Sequence, residues 1–273
     1  MIEKNSDTAT SAMLAETQKD PNWVPWTTQQ TFYAVLLTLV PWIGFNLLLA
    51  ATGSDAGLKK PLSFTDDLGG AVLEIFFTAV VEGIFLLAPY YCVKRTQIKQ
   101  ELQSRWRAFI EVMGLRRFNV VRTIPWIVGL MLLIIVVNVL YSYAITTLHL
   151  PISTNSEVVL QESKFAPLTV YAILIGSVLV APICEEIFFR GFVLPGLLHD
   201  LSPLWAILVS SALFAIAHTD LSSFIPLFTI GLCLGFLRWR TGSTWASISL
   251  HMLNNLLSSI VIILAMHNIN LPF

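Results

Sequence analysis

The segment ICEEIFFRGF, residues 183–192, places two glutamates and an arginine in a run that is otherwise almost entirely apolar. Glu186 and Arg190 are four residues apart, so on a helix they share a face and can form a charge-assisted pair. Glu185 points about 100 degrees away from Glu186, and the sequence offers it no local partner. The alternative interpretation is a helix end at the membrane surface, with charged side chains reaching toward the headgroups.

Two later apolar runs add further polar residues at helical spacing. Phe214 and His218 are four apart in FAIAH, and His251 and Asn255 are four apart in HMLNN, which puts each pair on one helical face. Any one of these histidines could simply be a hydrogen-bonded packing residue. Together with the glutamates, however, they can supply one another with partners, and the economical arrangement is one polar cavity inside a helix bundle.

Such a cavity has the chemical groups needed for hydrolysis. A carboxylate can take a proton from water, an imidazole can position that water, and N–H donors can stabilise a developing oxyanion. One carboxylate and two imidazoles are also a ligand set of catalytic zinc sites, which keep water in the fourth position. The residues alone therefore leave open both a metal-bound water and a metal-free one.

The composition indicates what surrounds these groups. Of 273 residues, 55% are hydrophobic and only 12% charged, and the mean hydropathy is +0.73, whereas soluble domains carry about 25% charged residues. The chain is therefore predicted to be an integral membrane protein. An ionised side chain facing lipid near the bilayer centre costs about 2.5–3.5 kcal/mol or more, so Glu185, Glu186 and Arg190 must face protein or water.

The predicted fold class is all-α, a polytopic membrane helix bundle with about seven to eight transmembrane helices. A bilayer core of about 30 Å takes about 20 apolar residues per helix, and an eighth helix arises if the fourth apolar run breaks near Gly191 or Pro195. Residues 1–30 are predicted to be a polar cytoplasmic segment and residues 31–273 a single transmembrane domain. The apolar runs are 31–51, 69–92, 123–145, 167–194, 204–217, 222–237 and 244–266.

Half of the 16 basic residues lie between positions 92 and 123, which predicts a cytoplasmic loop there. Seven spans then place the N-terminus in the cytoplasm and the loop at 148–165 outside. The first thirty residues lack a basic start followed by an apolar core, so no cleavable signal peptide is predicted. Depth along straight helices puts Glu185 near the cytoplasmic side and His218 far from it, which predicts a tilted, broken or recessed helix that closes this gap.

The three polar segments resemble motifs of a known family. EEIFFRG resembles the EExxxR motif, FAIAH the FxxxH motif and HMLNN the HxxxN motif of the CPBP family, the CAAX protease and bacteriocin-processing intramembrane endopeptidases related to the Ras-converting enzyme. The resemblance covers residues 181–257, the expected protease core. Each motif is weak alone, but three in order, each in an apolar run, are a specific signal.

The resemblance implies a role for each matching residue. Glu185 is expected to be the general base that activates the hydrolytic water, helped by His218, while His251 and Asn255 stabilise the oxyanion. Glu186 and Arg190 are then structural support for the catalytic helix. The family is often labelled a metalloprotease, so zinc or another divalent metal held by Glu185, His218 and His251 is one expectation, and a glutamate-activated water without a metal is the other.

The expected partners are a peptide or membrane-protein substrate, prenylated CAAX-like tails being one class, and the lipid bilayer. No nucleic-acid partner is predicted, and the oligomeric state stays open. A proton or ion relay and a non-catalytic scaffold could use the same polar cluster. A transporter would usually show repeat symmetry, which is not visible, and a degenerate scaffold would be expected to have lost a motif residue. Glu74 and Glu82 are eight apart on one face of the second apolar run and could line the same cavity or pair with arginines. They match no motif and receive no role.

Overall fold

The computed structural model describes residues 19–51, 60–96, 102–149, 155–267 and 269. These residues form helices joined by turns and contain no strand, which confirms the all-α class. Residues 1–18, most of the predicted N-terminal segment, lie outside the described residues.

Each of the seven apolar runs corresponds to a helix. Five helical stretches are long and apolar enough to cross a membrane, so the chain is an integral membrane protein. The fifth and sixth runs form the two remaining apolar helices, of 15 and 18 residues. The five longer stretches are Thr28–Leu48, Phe64–Arg95, Val120–Thr147, Pro167–Leu197 and Thr244–Met266.

The helices are numbered here in chain order. A 3₁₀ turn, Ile84–Leu86, joins the second helix to the third, and a π-helical segment, Ile187–Val193, follows the eighth. The helices are α1 (Thr28–Ala51), α2 (Phe64–Gly83), α3 (Leu87–Thr96), α4 (Leu102–Val112), α5 (Val120–Thr147), α6 (Asn155–Glu162), α7 (Pro167–Leu179), α8 (Ala181–Glu186), α9 (Leu194–Leu197), α10 (Pro203–Ala217), α11 (Phe224–Thr241) and α12 (Thr244–Met266).

The fourth apolar run does not break into two spans. Residues 167–197 form one helical stretch in which the π-helical segment replaces ordinary α-helix between α8 and α9. Pro182 and Pro195 each sit in the first turn of α8 and α9, where the missing N–H group costs least. The two glutamates of the EExxxR motif therefore come directly before a π-helical segment, a geometry that is frequent at functional sites.

Helix α2 packs closely along α7. Asp67 of α2 is buried, and its carboxylate accepts hydrogen bonds from the backbone N–H groups of Leu168 and Thr169 at 2.8 and 2.9 Å. It thereby caps the first turn of α7 from outside that helix. A Cβ added to Gly176 would lie 3.0 Å from the methyl group of Thr78, so a small residue permits this close approach. These contacts hold α2 beside the helix that leads into the motif glutamates.

The N-terminal residues, the segment after α4 and the turn before α12 meet at one end of the bundle. The backbone N–H of Thr244 donates to the carbonyl of Gly114 at 2.8 Å, and Arg238 donates to the side-chain oxygen of Asn22 at 2.6 Å. Gly242 makes the turn between α11 and α12 with φ +66, a conformation that favours glycine. Asn22, which precedes α1, and Gly114, in the segment after α4, thus lie at the same end of the bundle.

Which membrane side that end faces stays a prediction. A topology reporter fused at about Gln100, which lies outside the described residues, should be read in the cytoplasm, and one fused at about Ser156 should be read outside. The physical reason is the excess of lysine and arginine between residues 92 and 123, which resists translocation. An external signal at position 100 together with a cytoplasmic one at 156 would reverse the orientation.

Candidate active site

Glu186 is the centre of a buried charge cluster. It is fully buried, and its Oε1 accepts a hydrogen bond from Nη1 of Arg190 at 2.9 Å and from Nδ1 of His251 at 3.1 Å. Arg190 is also fully buried, and its Nη2 donates to the carbonyl of Gly231 at 3.1 Å. The Glu186–Arg190 pair expected from the spacing is therefore present in the structure, and it extends to a histidine 65 residues further along the chain.

The bond from Glu186 fixes the orientation of the His251 ring. A carboxylate oxygen only accepts, so Nδ1 of His251 carries a hydrogen. The other ring nitrogen, Nε2, then faces Glu185, with 4.0 Å between Nε2 and Oε2 of Glu185. This distance exceeds that of a hydrogen bond. The sequence indicated only a supporting role for Glu186, and its contact with His251 was not foreseen.

Glu185 ends up in a different environment from its neighbour. The residue is 8% exposed, and no described residue donates a hydrogen bond to its buried Oε2. Buried carboxylate oxygens are normally paired with donors, so this atom is available to accept a hydrogen bond from water or substrate. Each of the two adjacent glutamates has an unpaired Oε2. They differ in that Oε1 of Glu186 accepts hydrogen bonds from Arg190 and His251, whereas Oε2 of Glu185 lies 4.0 Å from the other nitrogen of the same histidine.

Phe214, the first residue of the FxxxH match, connects the histidines. Its ring centroid lies 4.7 Å from that of His218 and 5.7 Å from that of His251. The guanidinium carbon of Arg190 lies 4.4 Å from the same centroid, a cation–π contact. Both histidines and the buried arginine therefore pack on one phenyl ring. The spacing of four placed Phe214 on the same helical face as His218, but nothing in the sequence indicated its contacts with His251 and Arg190.

His218 lies at the C-terminal end of α10. Its Nδ1 donates to the backbone carbonyl of Phe214 at 2.8 Å, which assigns the hydrogen to Nδ1 and leaves Nε2 as the acceptor. His218 nevertheless lies near the motif glutamates, because its ring contacts Phe214, which also contacts His251, and Nε2 of His251 lies 4.0 Å from Glu185.

Asn255 lies one turn beyond His251 on α12. Its Nδ2 donates to the carbonyl of Ser177 in α7 at 2.8 Å, and its Oδ1 accepts from Asn254 at 3.1 Å. These are its hydrogen bonds within the described residues, so it is tied to α7 rather than to the glutamates or histidines. The amide has a second N–H, which can still serve as a donor.

Replacing Asn255 by alanine tests that donor. If the second N–H stabilises an oxyanion, cleavage should slow by ~10²–10³-fold and remain measurable, as for single donors in other hydrolases. Asn46→Ala is the matched control, since Asn46 is an asparagine of α1 whose Nδ2 donates to the Trp42 carbonyl of its own helix at 2.9 Å, and it should leave the rate near that of the unaltered protein. Equal rates for the two variants in a cleavage assay would remove Asn255 from the site.

The described residues do not form a metal site. Among them, no group of three or more His, Cys, Asp or Glu side chains is close enough to hold a metal ion. His251 faces both glutamates, whereas His218 packs on Phe214 and is hydrogen-bonded to its carbonyl. The structure therefore does not bring Glu185, His218 and His251 close enough together to coordinate one metal ion.

Residues at and just before the beginning of α1 also support the site. Trp26 is buried against Phe192, with ring centroids 4.9 Å apart, and its Nε1 donates to the Phe192 carbonyl at 3.4 Å. Thr28 donates to the carbonyl of Gly196 at 2.9 Å. These side chains donate hydrogen bonds to backbone carbonyls of the π-helical segment and of α9, where the α-helical hydrogen-bond pattern is altered. A tryptophan before a first span is typical of an interfacial anchor, so the sequence did not reveal this contact.

Comparisons with known proteins agree with the motifs. Residues 167–257 match the family model described as "Type II CAAX prenyl endopeptidase Rce1-like". The chain is 33% identical over 103 residues to a Bacillus subtilis (strain 168) protein named "Putative membrane peptidase YdiL", and this match spans 38% of the chain and 41% of that relative. No solved structure matches the chain significantly. The resemblance to the CPBP family is thereby confirmed.

Proposed function

We propose that this chain, which carries an Rce1-like domain of the CPBP family at residues 167–257, is an intramembrane endopeptidase that hydrolyses a peptide bond with a glutamate-activated water. The observation that carries the proposal is the buried Oε2 of Glu185, which accepts no hydrogen bond from the described residues and lies 4.0 Å from Nε2 of His251. It combines a proton acceptor with a histidine whose ring orientation is fixed by Glu186.

The proposed reaction begins with proton transfer from water to Glu185. The water oxygen attacks the carbonyl carbon of the scissile bond, and a tetrahedral oxyanion forms. His251, when it carries a hydrogen on both nitrogens, can donate Nε2–H to that oxyanion, and Asn255 can donate its second amide hydrogen. The C–N bond then breaks as Glu185 returns the proton to the leaving amine.

Glu186 and Arg190 act in this scheme through His251. Glu186 holds Nδ1 of the histidine, and Arg190 holds Glu186, so the ring keeps its Nε2 toward the reacting atoms. His218 packs on the same Phe214 ring as His251 and Arg190. With Nδ1 bonded to the Phe214 carbonyl, its Nε2 is suited to accept a hydrogen from the water or substrate. The role of His218 as an assistant to Glu185 is part of the proposal.

The substrate class follows from the family and the location of the site. A peptide or membrane protein that enters from the lipid is expected, and a prenylated C-terminal tail is the first class to test. The proposed topology opens the site toward the cytoplasmic half of the membrane, where such tails are attached to the bilayer.

The test uses the full chain purified into lipid vesicles. A farnesylated CAAX peptide with a fluorophore and a quencher on opposite sides of the expected bond should give a rising signal, and mass spectrometry should locate the cut. The same peptide without the prenyl group reports whether the lipid is required. In parallel, membranes containing Glu185→Gln protein should accumulate uncut substrates. The hydrolase proposal fails if the active chain cuts neither peptide and the two membrane proteomes are the same.

A further inference from the structure

Glu82 is a half-buried glutamate that lies outside the matched segment 167–257. It is the penultimate residue of α2, and only Gly83 separates it from the 3₁₀ turn. Its Oε2 is buried, and no described residue donates a hydrogen bond to it. A carboxylate in an apolar helix is costly unless protein groups or water stabilise it, so its position calls for a donor that the described residues do not provide.

The packing of α2 on α8 places Glu82 opposite Glu185. Phe85, three residues after Glu82, contacts Phe188, three residues after Glu185, with ring centroids 5.2 Å apart. Residues three apart lie on the same side of a helix, so we infer from the contact between the two phenyl rings that the two glutamates face each other one turn earlier. The two carboxylates are near enough to repel each other when both are ionised.

Glu82 and Glu185 each have a carboxylate oxygen that lacks a hydrogen-bond donor. Oε2 of Glu82 and Oε2 of Glu185 are both buried, and neither accepts a hydrogen bond from the described residues. Leaving a buried acceptor unpaired costs ~1–3 kcal/mol, and more for a charged group. Two facing carboxylates cannot donate to each other when both are ionised. A water molecule, which has two O–H groups, can satisfy both oxygens at once.

We propose that Glu82 is a second water-binding carboxylate of the active site, so that one water donates one O–H to Glu185 and the other to Glu82. The inference rests on the proposed hydrolase function. With both hydrogens held, a lone pair of the water oxygen is directed away from the two carboxylates and toward the substrate carbonyl. Glu185 takes its proton as the C–O bond forms. Glu82 keeps its hydrogen bond to the remaining O–H, which becomes the hydroxyl of the tetrahedral intermediate.

Glu74 shows what a glutamate of α2 does without this role. It lies eight residues before Glu82, and its Oε1 accepts a hydrogen bond from the Thr78 hydroxyl at 3.0 Å. Its carboxylate is therefore paired within its own helix. Glu74 is the matched control, since it is the same residue type on the same helix, beyond the contact with the motif glutamates.

The first experiment compares Glu82→Ala, Glu82→Gln and Glu74→Ala in the farnesylated-peptide assay. Glu82→Ala should lower kcat by up to ~10²-fold with little change in KM, because a misplaced reactant costs rate rather than affinity. Glu82→Gln keeps an accepting oxygen and should recover much of the lost rate, while Glu74→Ala should match the unaltered protein. A wild-type kcat for Glu82→Ala, with Glu185→Gln inactive, overturns this inference alone. Activity in Glu185→Gln overturns the proposed function instead.

A second experiment does not depend on activity. An experimental structure of the full chain at a resolution that shows water should contain one water within hydrogen-bond distance of both Oε2 atoms. A structure of Glu82→Gln should also contain this water, because glutamine is close to glutamate in shape and keeps an accepting oxygen. This variant can be used if Glu82→Ala proves too unstable to purify. A water bound to Glu185 but remote from Glu82, or no water between the two carboxylates, contradicts the proposal.

Discussion

Replacing Glu185 by glutamine is expected to abolish peptide cleavage while leaving the protein folded. Glutamine keeps the shape of the side chain and an accepting oxygen, but it cannot take a proton from water at neutral pH. General-base catalysis contributes ~10²–10⁴-fold to a rate, and the initial proton transfer depends on this group, so the loss should be at least ~10³-fold. The measurement is the initial rate of cleavage in vesicles, with thermal stability recorded on the same preparation.

The matched control is Glu162→Gln, at the end of α6. Glu162 is exposed, so the same change of charge there should leave the rate unaltered. A Glu185→Gln protein that cleaves at the wild-type rate would exclude Glu185 as the base, and the buried polar cluster would have to be interpreted as a proton relay or as part of a non-catalytic scaffold.

The role of a metal is tested on the same preparation. Because the described residues do not gather Glu185, His218 and His251 into a metal-sized group, purified active protein is expected to contain no stoichiometric divalent metal, and chelators should leave its rate unchanged. Inactivation by a chelator, with activity restored by added zinc, would show that these residues rearrange to bind a metal in the working enzyme.

Removing the charge of Arg190 should have the largest effect on stability. Arg190 and Glu186 are both fully buried, with Nη1 and Oε1 2.9 Å apart, so Arg190→Ala leaves a buried carboxylate without its main counter-ion. Breaking such a pair costs ~3–5 kcal/mol. The substitution also removes the cation–π contact with Phe214 and the bond to Gly231. We expect a lower yield of monodisperse protein and a clearly reduced Tm.

Two further variants separate charge pairing from other effects of the substitution. Arg240→Ala, on the exposed end of α11, removes the same side chain from the surface and should leave yield and Tm unchanged. The double variant Glu186→Ala and Arg190→Ala removes both buried charges and should recover part of the lost stability. It should remain inactive, because His251 then lacks the carboxylate that orients it. Normal yield and Tm for Arg190→Ala alone would contradict the pairing.

The sequence by itself determined the features that depend on local spacing and on composition. Runs of about 20 apolar residues have to be helical in lipid, since a helix satisfies its own backbone hydrogen bonds. All seven predicted runs are helical. The Glu186–Arg190 pair was predictable because residues four apart on a helix meet whatever surrounds it. The three motifs were recognisable for the same reason, because each contains a pair of residues four apart, about one helical turn.

The tertiary structure alone decided which helical faces meet and at what depth. Spacing cannot show that Glu186 holds His251 or that Phe214 contacts His251 and Arg190, because these partners are far apart in the chain and no local rule relates them. Their contacts depend on how the helices pack, for example at small residues such as Gly176, and on the continuous helical stretch 167–197 that carries the motif glutamates. Helix periodicity specifies the face of a residue, whereas the partner of that face is specified by how whole helices pack against one another.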